Sequence, residues 1–339
     1  MTTTQSARGV DHFRLGLLFA IGSAFSFGMS GPLAKALMDA GWSPTGAVTA
    51  RMAVGALAMA VFATIARPGW VREALTHRRM VLAYGVFPIA GAQLCYFNAV
   101  AHLSVGVALL LEYSAPVLVV GWLWATTRRR PTTLTLAGVA LAVAGIMLVL
   151  DVFAGAHINA VGVAWGLAAA VCAASYFMLS DKVAAGDNGR SLSPITLAAA
   201  GLIIGAATTG ALGITGVMPL TLTTNDTVVA GLTMSWIVPL AALGVITTAV
   251  AYTLGIMGIS RLRPRFASLV GLSEVMFAVV AAWVMLGQGV TVAQGVGGAV
   301  VLVGLALARH GDRSEKVDAA TWPDAGGVED LTTGNRAND

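Results

Sequence analysis

Two carboxylates stand where an apolar chain has no ordinary use for them. Glu112 lies in the middle of residues 99–130, AVAHLSVGVALLLEYSAPVLVVGWLWATTRRR, and Glu274 lies within ISRLRPRFASLVGLSEVMFAVVAAWVMLGQ at 259–288. A charge at the centre of a membrane helix costs about 2.5–3.5 kcal/mol on insertion scales, so it survives where it faces a bundle interior or a water-filled cavity. Pro116 sharpens the anomaly. It supplies no N–H and its ring crowds the carbonyl four residues earlier, so the Glu112 carbonyl is freed at the level of the Glu112 carboxylate. The chemistry open to such carboxylates is ammonium binding or proton transfer.

The opposite charge is scarcer. Of the twenty Lys and Arg, only Lys35 and Arg51 fall in neither a predicted cytoplasmic segment nor the C-terminal tail. Arg51 is expected roughly 10 Å into the second apolar run, at 1.5 Å per residue. Two readings stay open for both: a side chain snorkelling to the outer headgroups, or a cation recognising an anionic group in the outer half of a pocket. Neutral candidates accompany them. Gln93 and Tyr96 stand three apart and share a helix face, whereas Asn98 points away and is expected to help end that helix. Ser175, Tyr176 and Tyr252, with Tyr113 next to Glu112 and Ser273 next to Glu274, complete the substrate-binding candidates. Ser23, Ser26 and Ser30 form a stripe that reads first as close helix packing, whereas the small residues Ala267, Gly271, Ala278 and Ala281 around Glu274 let a neighbouring backbone approach and also leave room there for a ligand.

Several chemistries are excluded. All five histidines lie at or outside helix ends, so no buried Ser/His pair or His-rich metal site is expected. No lysine follows a glycine, which removes the phosphate-binding loop of an ATPase. No catalytic residue, metal or cofactor is expected, and the chain does not read as an enzyme.

The elements that must hold these residues follow from composition. The 339-residue chain is 57% hydrophobic and only 11% charged, with mean hydropathy +0.81, against about a quarter charged in a soluble domain. It reads as an all-α, polytopic membrane protein. Cys95 and Cys172 sit inside apolar runs and imply no disulfide framework. No cleavable signal peptide is evident, so the first helix should remain. Runs of about twenty apolar residues predict ten transmembrane helices, near 15–38, 45–66, 80–101, 104–126, 133–151, 160–181, 194–216, 229–257, 266–286 and 291–309.

Lys and Arg gather in alternate connections: Arg67, Arg72, Arg78 and Arg79; Arg128, Arg129 and Arg130; Lys182 and Arg190; Arg261, Arg263 and Arg265; Arg309 and Arg313. The positive-inside rule places both termini in the cytoplasm. Residues 311–339 carry three Lys/Arg against seven Asp/Glu and read as a disordered tail.

Shifting the chain by 159 places lays residues 103–148 on 262–307 without a gap, pairing Leu103/Leu262, Ser114/Ser273, Trp124/Trp283, Gly138/Gly297 and Gly145/Gly304. The matched loops, 102–104 and 261–263, are predicted on opposite sides, so the halves form two inverted five-helix repeats. That is a transporter architecture, with the substrate site near the midplane. The expected division is a cytoplasmic segment at 1–13, repeats at 14–151 and 160–309, and the tail at 310–339.

These residues, with GPLAKALMDAGWSP at 31–44, TARMAVGAL at 49–57 and LLEYSAPVLV at 110–119, make the chain similar to the EamA-type branch of the drug/metabolite transporter superfamily, and within it to amino-acid exporters of the threonine/homoserine type. The resemblance implies export across a bacterial cytoplasmic membrane by alternating access. Two departures stand out. Glu274-Val275 replaces a common Glu-Pro, which implies an unkinked helix, and Gly287-Gln288 replaces Gly-Glu. The expected partners are a small-molecule substrate and the lipid bilayer, not nucleic acid; proton coupling and a homodimer are left open. Rival readings are an exporter of amphipathic cations or drugs and a membrane sensor without flux.

Overall fold

In lipid the backbone must bond to itself, and helices do so within one segment. The computed structural model describes residues 2–128, 130–149, 159–185, 192–259 and 264–320. The loop at 152–158, Arg129, Arg190, Arg261, Arg263 and the tail beyond Ala320 lie outside them. The first half of the chain supplies α1 (Thr2–Gly28), α2 (Ser30–Asp39), α3 (Pro44–Ala66), α4 (Trp70–Thr76), α5 (Arg78–Tyr84), α6 (Ala92–His102), α7 (Val105–Glu112), α8 (Ala115–Thr127) and α9 (Thr133–Val149). The second supplies α10 (Ala160–Ala185), α11 (Pro194–Ile214), a hairpin of β1 (Thr227–Val229) and β2 (Leu232–Met234), α12 (Ile237–Ala241), α13 (Ala251–Ile259), α14 (Pro264–Leu286) and α15 (Val292–Ala320). Among the described residues five helices are long and apolar enough to cross a membrane: Arg14–Asp39, Pro44–Ala66, Arg78–His102, Pro194–Ile214 and Ile237–Gly255. Shorter apolar helices accompany them at Thr133–Val149, Ala160–Ser175, Ser273–Leu286 and Val292–Ala308.

Where the elements differ from expectation, proline and turn chemistry give the reason. The first predicted helix is interrupted at Met29, where Pro32 leaves the Gly28 carbonyl without an N–H. The fourth breaks between Glu112 and Ala115, and the cause is Pro116. Ser114 turns back on the last turn of α7, with its N–H and its hydroxyl both donating to Leu111 O, at 3.1 and 2.6 Å. The third and eighth widen into π-helical stretches at Gly85–Gly91, which contains Pro88, and Ala242–Val250. Residues 229–236 are not helical as expected. Thr227–Val229 and Leu232–Met234 pair as antiparallel strands around Ala230-Gly231, both at positive φ, and β-branched residues flanking a two-residue turn favour such a hairpin. At the other end α15 continues to Ala320, into the stretch read as tail. α14 is one continuous helix, as the missing proline after Glu274 implies.

Packing follows small residues. α9 and α15 cross with backbones almost in contact: a Cβ on Gly145 would lie 2.7 Å from Val301 N, and one on Gly297 would lie 2.8 Å from Val149 N. Gly138 abuts Gly304 and Ala308, and Gly304 abuts Gly138 and Ala142. The low end of one helix thus meets the high end of the other, so the two run antiparallel. These contacts are also reciprocal under the 159-residue shift, which carries Gly138, Ala142, Gly145 and Val149 onto Gly297, Val301, Gly304 and Ala308. The same reciprocity extends outward. α1 packs on α13 and α14, while α10 packs on α6, α7 and α8; α3 packs on α11.

The helix ends are tied across the halves. Ser43 caps α3 by accepting from Gly46 N at 3.0 Å, with Pro44 in the first turn. The 217–226 segment joins this corner: Ser43 N donates to Thr221 O at 3.0 Å and Thr221 N donates to Ser43 Oγ at 2.9 Å. Gly41, at φ 102, closes α2 with Gly41 N on Met38 O and Trp42 N on Leu37 O, a left-handed cap that a Cβ would strain. α11 starts with the same Ser-Pro pair, Ser193-Pro194, but its first turn is capped by Glu73 from α4. Glu73 Oε1 accepts from Ser193 N and Oε2 from Thr196 Oγ1, each at 2.7 Å, and Arg67 Nε adds a contact at 3.0 Å.

Burial alone would push the Glu73 carboxyl up, yet the donors from Ser193, Thr196 and Arg67 outweigh it and hold the group below the ordinary carboxylate range. A folded-state value below the unfolded one means stabilisation that is fully present above the unfolded pKa and lost as pH falls through the folded one. Glu73→Gln is therefore expected to destabilise by about 1–2 kcal/mol near neutrality, the order of a charge-assisted hydrogen bond. Thermal melts of the two proteins should converge as pH drops below about 4, the unfolded glutamate range. A gap that persists unchanged at pH 3.5 would count against this account.

Candidate functional site

The site is built from α3 outward. Arg51 sits two turns into α3, and the headgroup-snorkelling geometry is not what it adopts: it is 3% exposed and its guanidinium points into the bundle. Nε donates to Thr248 Oγ1 at 3.1 Å, Nη2 donates to Thr247 O at 3.3 Å, and Nη1 donates to Gln93 Oε1. The Phe97 ring lies under the guanidinium carbon, 5.5 Å from centroid to Cζ.

The partners arise from local backbone irregularity. In the π-helical stretch the Leu243 carbonyl is taken by two side chains, Thr247 Oγ1 at 2.6 Å and Thr248 Oγ1 at 3.0 Å. The widened turn leaves the Thr247 carbonyl available to Arg51, a use of π-bulges that recurs at functional sites. Close approach of the two helices requires Gly55, one turn beyond Arg51, where a Cβ would lie 2.5 Å from Thr248 Cγ2.

The carboxylates lie on the facing helices. Glu274, half-buried on α14, accepts from Tyr113 Oη at 2.7 Å. Glu112, at the last residue of α7, is half-buried, and no hydrogen bond or ion pair reaches its carboxylate among the described residues. Glu112, Glu274, Tyr96 and Tyr252 are within electrostatic range of the Arg51 charge, and Glu112 and Glu274 are within range of each other. One cation and two carboxylates thus share a mostly apolar interior.

The remaining candidates divide. Tyr96 is buried, edge-on to Phe97 at 5.8 Å, with its hydroxyl against Gly31. Tyr252 meets Phe27 edge-to-face at 5.1 Å. Ser273 is half-buried on the turn that carries Glu274. Ser175 Oγ donates to Cys172 O at 2.5 Å, within its own helix. The Tyr176 side chain lies outside the described residues. Lys35 is paired with Asp39 one turn on, at 3.1 Å, and both are partly exposed. Asn98 does not end its helix: it is buried, its Nδ2 donates to Leu94 O at 2.7 Å, and α6 runs on to His102. Cys95 and Cys172 are free thiols.

Thr247, Thr248 and Phe97 were not legible as site residues. Threonine in an apolar helix ordinarily bonds its own backbone, and only the tertiary partner reveals the second role. The available signal was weak: Thr247-Thr248 is the one adjacent threonine pair in residues 237–257.

Beyond the Arg51 cluster, a cavity of about 540 Å³ opens between the end of α2, the hairpin and the end of α14, with Asp39 and Asp226 on its wall.

The model of the EamA-like transporter family matches residues 14–151 and again residues 160–309. The threonine/homoserine exporter RhtA of Escherichia coli (strain K12) is 30% identical over 268 residues, which covers 76% of this chain and 79% of the exporter. Its counterpart in Salmonella typhimurium (strain LT2) is 28% identical over 269 residues, with the same coverage. A protein of known crystal structure superposes with a TM-score of 0.59 at 19% identity, covering 88% of this chain and 98% of that one, a likeness of fold.

Proposed function

This chain belongs to the EamA-like transporter family and is a multi-pass membrane transporter; from that premise we propose that it exports small zwitterionic amino acids of the threonine/homoserine type across a bacterial cytoplasmic membrane. The observation that carries the reading is the interior charge set. Arg51, immobilised by Gln93, Thr247 and Thr248, suits a carboxylate, while Glu112 and Glu274 within its field suit an ammonium. An amphipathic cation would gain nothing from a buried arginine. The RhtA exporters, matched over three quarters of the chain, support the same substrate class.

Transport proceeds by alternating access between two inverted five-helix repeats, with both termini cytoplasmic. The double family match, the antiparallel α9–α15 crossing and its reciprocal contacts support this arrangement. In it Glu112 and Glu274 exchange protons or bind the substrate ammonium, with Tyr96, Tyr113, Tyr252 and Ser273 lining the path.

The test is flux in inside-out vesicles that contain the full-length protein. Radiolabelled L-threonine or L-homoserine should accumulate at least tenfold above vesicles lacking it. Binding without accumulation would make the protein a sensor. Accumulation of ethidium in place of either amino acid would make it a cation exporter.

A further inference from the structure

Ser23, Ser26 and Ser30 share one stripe of the first membrane helix, and two of the three have partners. Ser23 Oγ donates to Ala251 O at 2.8 Å, and Ser26 Oγ donates to Gly22 O at 2.8 Å. Ser30 is 5% exposed, and its Oγ has no hydrogen-bond partner among the described residues. A hydroxyl placed there has given up its bonds to water and gained none, a cost that alanine would avoid if packing were the only demand.

The neighbours locate this hydroxyl. Gly28 backs onto the turn that carries Glu274, where a Cβ would lie 3.1 Å from Glu274 O and 2.8 Å from Phe277 Cβ. Gly31 lies under the Tyr96 hydroxyl. α1 runs antiparallel to α13, with Ala20 against Gly258 and Ser23 against Gly255 and Ala251. α2, which begins at Ser30, packs on the π-helical stretch Ala242–Val250. Thr247 in that stretch holds Arg51. Ser30 is also the first residue of α2, a ten-residue helix whose N-terminal end favours an anion. Among the described residues three of the five Arg51 N–H donors are engaged, which leaves two for a ligand.

We propose that the Ser30 hydroxyl, at the break between α1 and α2, is a direct ligand of the substrate carboxylate and completes its recognition beside Arg51. This rests on the amino-acid reading above. When the α1–α2 break opens to one side of the membrane, the carboxylate takes the hydrogen bond that Ser30 otherwise lacks, and the ammonium faces the Glu274 turn.

The experiment measures equilibrium binding of radiolabelled L-threonine to the purified full-length protein in lipid nanodiscs. Ser30→Ala should weaken L-threonine at least tenfold, while its melting temperature without amino acid is no lower than that of the wild type. L-threoninol, which keeps the ammonium and the hydroxyl but carries CH2OH in place of the carboxylate, should bind wild type and Ser30→Ala equally. The assignment is overturned if Ser30→Ala binds L-threonine as the wild type does. It is overturned too if both ligands weaken together with a lowered melting temperature, because Ser30 would then be a packing residue. Wild-type protein that neither binds nor transports L-threonine overturns the exporter reading and the carboxylate site with it. Wild-type transport with an unaffected Ser30→Ala overturns the Ser30 role alone.

Discussion

Arg51→Lys should lower L-threonine export at least tenfold while the protein reaches the membrane at near wild-type levels. The substitution keeps the charge and loses the planar fork. A lysine ammonium cannot serve Gln93 Oε1, Thr248 Oγ1 and Thr247 O at once, and each buried polar group left without its partner costs about 1–3 kcal/mol. One such loss is enough for a tenfold effect, since 1.4 kcal/mol is about a factor of ten. Arg51→Ala should be worse, because it leaves Glu112 and Glu274 without the only buried cation in their field among the described residues. Export measured in vesicles with matched protein content decides the point. Wild-type rates from a well-inserted Arg51→Ala protein would remove Arg51 from the site.

The second large effect is expected at Glu112. Glu112→Gln preserves size and hydrogen bonding but cannot ionise, so it should insert, keep its fold and lose at least nine-tenths of transport driven by a proton gradient. Glu274→Gln is the informative comparison, because the two carboxylates differ in their surroundings. Glu274 is anchored by the Tyr113 hydroxyl at 2.7 Å, whereas no described residue bonds the Glu112 carboxylate at the α7–α8 break. A carboxylate with no fixed partner is the one free to exchange a proton or an ammonium. Loss in both variants means that the pair acts together; loss in Glu112→Gln alone means that the halves have specialised. Wild-type flux and an unchanged pH profile in Glu112→Gln would falsify the coupling role.

Much of this molecule is written locally. Apolar runs of membrane-spanning length, and Pro116 with its freed carbonyl at Glu112, follow from neighbours within four residues, since helix bonding is short-range. The same locality explains the failures. Hydropathy treats the β-branched hairpin from residue 229 to 234 as membrane helix, because it counts apolar side chains and not the positive-φ turn at Ala230-Gly231. The interruption at Met29 and the π-helical stretch at Ala242–Val250 escaped the reading of continuous spans. A proline signals lost bonding without saying how the chain will recover it.

The sequence by itself determined that this is a membrane-embedded helical chain with two carboxylates and one arginine inside apolar spans, and a 159-residue self-match that carries Gly138 and Gly145 onto Gly297 and Gly304. Composition, proline geometry and repeat register depend on no distant contact. Only the tertiary structure decided that Arg51 faces inward and not towards the headgroups, that Thr247 and Thr248 hold it, that Lys35 is committed to Asp39, and that Glu73 caps a helix 120 residues away. Each of those outcomes turns on which face of one helix meets which turn of another. Small residues such as Gly55 set that choice by where they let two backbones approach, and it has no signature in the spacing along either helix.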